Sequence, residues 1–101
     1  MAIHFLTPAS IELDEAVEYY ESQQRGVGNR FAAAVENTLS RITLFPEGYQ
    51  SVGRYSRRCL VSKFPYGVVY QYRRSESEIL VVAIAHLHRL PGYWASRESP
   101  R

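Results

Sequence analysis

The chain has 101 residues, of which 46% are hydrophobic and 22% charged, enough apolar material for one packed domain over residues 1–101 and too much for a disordered chain. Its net charge of +2 hides an asymmetry: residues 1–50 hold three basic and seven acidic groups, whereas residues 51–101 hold nine basic and three acidic. No apolar run approaches the roughly 20 residues of a membrane span and no signal segment opens the chain, so the expectation is a cytoplasmic protein with no membrane partner.

In chain order, Ile3 to Leu6 reads as a short first strand, stopped by Thr7-Pro8. Thr7 or Ser10 is placed to cap a following helix, and Pro8 suits its first turn. Leu13, Ala16, Val17 and Tyr20 fall at i, i+3, i+4 and i+7, one apolar stripe. Glu12, Asp14, Glu15 and Glu18 fill the rest of that helix surface. Gly26-Val27-Gly28 breaks the helix. A second one carries Phe31, Val35, Thr38, Leu39, Ile42 and Phe45 at helical spacing and ends at Pro46-Glu47-Gly48. Two amphipathic helices joined by a short glycine-containing turn form an antiparallel hairpin.

From Tyr49 the pattern changes to strands. Arg57 to Phe64 alternates, with Arg58, Leu60, Ser62 and Phe64 on one face and Cys59, Val61 and Lys63 on the other. Cys59 is the lone cysteine, as suits a reducing compartment. Pro65-Tyr66-Gly67 marks a turn, Val68 to Arg73 a strand, and Arg74 to Ser77 a polar turn. Ile79 to Ala85 is an unbroken apolar run rich in Val and Ile, the mark of a strand buried on both faces. Three strands with short connections read as an antiparallel meander. The fold expected is α+β: a short first strand, an antiparallel helical hairpin, then the meander, with the helices packed on one face of the sheet.

The buried strand delivers His86-Leu87-His88-Arg89 and then Pro91-Gly92-Tyr93-Trp94 at its exit. A rigid strand that ends in imidazoles, a guanidinium, a phenol and an indole is a sound scaffold for a functional site. Eleven of the twelve basic residues are Arg, whose planar fork suits phosphate or carboxylate. The basic second half therefore points to an anionic partner, nucleic acid or an acidic protein, with a solvated basic surface as the plain alternative.

The order strand, helical hairpin, Arg-bearing meander resembles the RelE/ParE superfamily of bacterial toxins from type II toxin–antitoxin modules. The residues that carry the resemblance are Glu15 to Tyr20, Gly26-Val27-Gly28 with Phe31, Phe45-Pro46, Arg58, Phe64-Pro65-Tyr66, Tyr70, His86, Arg89, Pro91, Tyr93-Trp94 and Arg97. The resemblance implies a cognate antitoxin partner, no cofactor, and one of two targets. ParE-like members look like inhibitors of DNA gyrase; RelE-like members look like ribosome-dependent ribonucleases that cut messenger RNA. An inactive toxin homologue that only binds antitoxin is a third reading.

Cleaving RNA by attack of a 2′-hydroxyl needs a base, an acid and cations for the phosphorane charge. If the chain is a ribonuclease, Arg58, His86, His88, Arg89 and Tyr93 are the catalytic candidates. By the resemblance, Arg58 would stabilise phosphate and Tyr93 would take the place of a C-terminal catalytic tyrosine. Leu87 falls where the nucleases carry another Arg, and their lysine-rich segment is missing, since Lys63 is the only Lys. These departures favour gyrase. Partner contacts are expected from Arg54, Arg57, Arg58, Arg73, Tyr93, Trp94 and Arg97. The plain readings are an ion pair between Arg58 and an acid of the hairpin, a buried His86, and Tyr93-Trp94 as tail anchors. Too few further ligands accompany the histidines for a metal site, so none is expected.

Overall fold

A computed structural model describes residues 1–100. Strand β1 (Ala2–Phe5) leads into helices α1 (Thr7–Gln23) and α2 (Val27–Leu44), followed by strands β2 (Gln50–Val52), β3 (Ser56–Leu60), β4 (Tyr66–Arg73) and β5 (Glu78–His86). Short 3-10 turns follow at Arg74–Glu76 and Ala95–Arg97. The sheet runs β1-β5-β4-β3-β2, with β1 parallel to β5 and every other pair antiparallel. The expected α+β architecture is thus present, and the sheet it forms is mixed.

The helical hairpin turns at Gly26, whose φ of 91° a side chain rarely adopts. The Glu21 carboxylate accepts the N–H groups of Gly26 and Gly28 at 3.0 Å and so caps the otherwise unbonded start of α2. No side chain caps α1: Leu6, in place of Thr7 or Ser10, holds the N-cap position, and Pro8 lies in the first turn as expected. The hairpin covers one face of the sheet. Phe31, Val35 and Ile42 of α2 pack with Val68, Tyr70, Ile79, Val81 and Ile84. Burying each large apolar side chain contributes about 1.5–3 kcal/mol.

Several expectations need correction. The strand expected at Arg57–Phe64 stops at Leu60, because Lys63 adopts a left-handed turn with φ 71°. Phe64 then folds back among Tyr20 and Phe31 rather than sharing a face with Arg58. Phe45 lies just past the end of α2 and is 65% exposed, so it is not part of the buried stripe. β2 was not expected at all. Finally, β5 carries a bulge. Val69 pairs with Ala83 and Tyr70 with Val81, which leaves Val82 without a partner on β4. Val82 and Ala83 consequently both face away from the helices, while Ile84 returns to the helix side. His86 therefore does not share a face with Val82.

Candidate functional site

β1 accompanies β5 only as far as Val81, whose carbonyl accepts the Leu6 N–H at 3.0 Å. Past that point a side chain from α1 takes over the edge. Glu12 Oε1 accepts the Ile84 N–H at 3.1 Å, and the Val82 carbonyl accepts from Arg97 Nη1 at 3.1 Å. Arg97 also forms a two-pronged ion pair with Glu12, at 2.9 and 3.0 Å. The pair is largely buried, with side-chain exposures of 19% and 12%. Burying two charges is costly unless their hydrogen bonds are filled, and here both partners also satisfy backbone groups.

Tyr93 joins the same carboxylate, donating its hydroxyl to Glu12 Oε2 at 2.7 Å. Burial first, and then the hydrogen bond to Glu12, raise its phenol above the ordinary tyrosine range. Arg97 is held more firmly protonated by its hydrogen bond to Glu12. The Arg89 guanidinium stacks on the Tyr93 ring, 3.7 Å from its centroid, and stands 3.5 Å from Glu12. Glu12 therefore gathers Arg89, Tyr93 and Arg97. In the sequence it reads as one of several acids on the outer surface of α1. One signal was available: Glu12 lies three residues after Ala9 and four before Ala16, both buried, so it borders the buried stripe of α1.

The residues after Tyr93 cross the sheet face that the helices leave open. Trp94 is buried against Gly53, where a Cβ would come within 2.7 Å of the indole. Only glycine admits the ring there. The Glu98 carboxylate accepts from the Tyr55 N–H at 2.8 Å, from the Arg54 N–H at 3.3 Å and from the Ser56 hydroxyl. Buried Gln71 exchanges two hydrogen bonds with the Ser99 backbone, at 2.7 and 3.0 Å. Trp94 thus anchors this strap, with its indole packed on Gly53.

Between strap and sheet lies a cavity of about 300 Å³ lined by Arg58, Val69, Ala85, His86, Arg89 and Trp94, among others. The Arg58 stem lies across Gly67, where a Cβ would meet its Cδ at 2.8 Å. Its Nε is buried with no hydrogen-bond partner, and no acid of the hairpin pairs with it among the described residues. His86 is half-buried against Tyr66, ring centroids 5.0 Å apart, and its Nδ1 accepts the His88 N–H at 3.0 Å. That bond belongs to the turn that ends β5 at His86, so His88 is not on the strand.

The structure brings together Arg58, His86, Arg89 and Tyr93 around one cavity. It separates the other arginines. Arg54 and Arg57 line a different recess, beside Glu47 and Tyr72, and Arg57 is engaged by the Tyr49 carbonyl at 2.8 Å. Arg73 lies at another end of the sheet, 3.8 Å from Glu78. The basic half of the chain does not become one continuous patch. Among the described residues no group of three or more His, Cys, Asp or Glu is placed to hold a metal ion, and no helix is long and apolar enough to cross a membrane.

The family described as the ParE toxin of the type II toxin–antitoxin system parDE matches residues 3–91. No curated protein matches the chain. Among solved structures, the chromosomal ParDE toxin–antitoxin system from P. aeruginosa contains a similar chain, with a TM-score of 0.60 and 16% identity over 87% of this chain and 97% of that one.

Proposed function

The chain belongs to the ParE toxin family of type II toxin–antitoxin systems, and from that premise we propose that it arrests growth in the cytoplasm by contact with DNA gyrase and is neutralised by a cognate antitoxin. One observation carries the choice of target. The Glu12 carboxylate, paired with Arg97, also sits against Arg89 and Tyr93, two of the groups that RNA cleavage would need free. A carboxylate there repels a scissile phosphate and offsets the cations that would stabilise it. The Tyr93 phenol, held protonated by burial and by Glu12, is a poor general base. Contact with a protein target needs none of these groups to be reactive. The antitoxin segment that suits the second half of the chain is acidic and disordered until it binds.

A second reading, a ribosome-dependent messenger RNA endoribonuclease, is favoured by Arg58, His86 and Arg89 lining one cavity. One preparation of antitoxin-free protein separates the two. Inhibited supercoiling by gyrase, with messenger RNA intact on translating ribosomes, is the expected result. Cleaved messenger RNA with normal supercoiling would replace this proposal with the second reading.

A further inference from the structure

The edge of β5 beyond Val81 is a strand edge without a strand. Such an edge presents open backbone groups that attract other chains unless something covers them. Here two side chains stand in for the missing strand, Glu12 as acceptor for the Ile84 N–H and Arg97 as donor to the Val82 carbonyl. The bulge falls at Val82 itself, the residue whose carbonyl takes the Arg97 contact. The same Glu12 carboxylate also holds Tyr93 and Arg97, which lie 81 and 85 positions further along the chain.

We propose that Glu12 is the positioning residue of the C-terminal strap, Tyr93 to Ser99, and that through Tyr93 and Arg89 it sets the shape of the cavity lined by Arg58 and His86. Polarity decides why a carboxylate must stand at this position. Ile84 N–H, the Tyr93 hydroxyl and both Arg97 Nη atoms are all donors, and they converge on one side chain. Only a group with two oxygens and no hydrogens accepts from all of them. Glutamine, of almost the same shape, turns one donor against another. The strap's far end is pinned separately by Glu98 and Gln71. Loss of Glu12 therefore frees the near end and leaves the far end seated.

Amide hydrogen exchange on the full chain tests this. Glu12→Gln should speed exchange at Ile84, Ala95 and Arg97 by about tenfold or more, with Phe31 and Val35 unchanged. Glu98→Gln should speed exchange at Tyr55 and leave Ile84 as it was. An unchanged Ile84 amide in Glu12→Gln, or equal acceleration at Phe31 and Val35, would overturn the proposal. A second arm rests on the toxin reading above: at equal protein level, growth arrest should be weakened in Glu12→Gln and partly restored in Glu12→Asp, which keeps the carboxylate. An opened strap with full growth arrest would overturn the role in activity. Absence of arrest with the unaltered chain would sink the toxin reading, and the exchange result would still decide the positioning role of Glu12.

Discussion

The two faces of the sheet are covered by different means. On one, α1 and α2 lay a periodic apolar stripe over Val68, Tyr70, Ile79 and Val81. On the other, a short strap covers Val69, Val82, Ala83 and Ala85 with one indole, and is held by Glu12, Glu98 and Gln71. The first cover rests on area removed from water, which is non-directional and spread over many residues. The second rests on a few directional bonds to buried polar groups, each costly to leave unmade. A helical cover tolerates small changes at many positions; a strap is sensitive at three or four.

The largest effect expected from this contrast is at Phe31, fully buried under the hairpin. Phe31→Ala should cost about 3–5 kcal/mol by urea unfolding, and the whole chain should open with it. Trp94 is a larger side chain and almost as buried, at 6% exposure. Trp94→Ala should nevertheless cost less, about 2 kcal/mol, because the strap can lift without unfolding the helices. A Trp94→Ala loss equal to that of Phe31→Ala, with loss of helix protection, would show that the two faces form one cooperative unit.

The helical face was also the legible one. Its stripes repeat at the helix period, and the apolar run of β5 announces a strand buried on both sides. What escaped was non-periodic or distant. β2 is a three-residue, mostly exposed segment, Gln50–Val52, which exists because β3 offers it an edge. The bulge at Val82 falls within a run in which every residue is apolar, so there was no alternation to be interrupted. Glu12 resembles Asp14 and Glu15 until Ile84, Tyr93 and Arg97 arrive from the far end of the chain. Its place in the site follows from tertiary contact. The candidates Arg58, His86, Arg89 and Tyr93 do converge, yet the carboxylate that changes what they can do was not among them.

Two tyrosines sharpen the comparison at a smaller scale. Tyr70 lies on the helical face and donates to the Pro46 carbonyl at 2.7 Å; Tyr93 lies at the strap. Burial is the first cause of a raised phenol pKa at both, and Glu12 adds to it at Tyr93. A raised folded pKa favours the protonated form, so its contribution is complete below the unfolded tyrosine value near 10 and is lost as pH rises above that value. Stability should therefore fall in alkali. Tyr70→Phe should cost about 1 kcal/mol at pH 7 and flatten the alkaline decline, as read by urea unfolding at a series of pH values. An alkaline decline of undiminished slope in that variant would place its cause elsewhere, with Tyr93, Tyr66 and Tyr20, whose phenols burial also raises, as the next to test.

The smallest effect expected comes from a contact that looks as good as any in the strap. Arg74 meets Glu47 at 2.7 Å, closer than Arg97 meets Glu12, yet its partners are 70% and 53% exposed. Water competes for both groups, salt screens them, and neither satisfies a buried backbone atom. Glu47→Gln should leave the melting temperature unchanged within error, at low and high salt alike. The two pairs share chemistry and distance and differ in whether anything else depends on them. The Glu12 carboxylate also completes a strand edge and seats a tyrosine, so removing it strands donors that have nowhere to turn. A measurable loss in Glu47→Gln would mean that charge pairing as such, rather than burial of what the pair holds in place, accounts for the strap's hold.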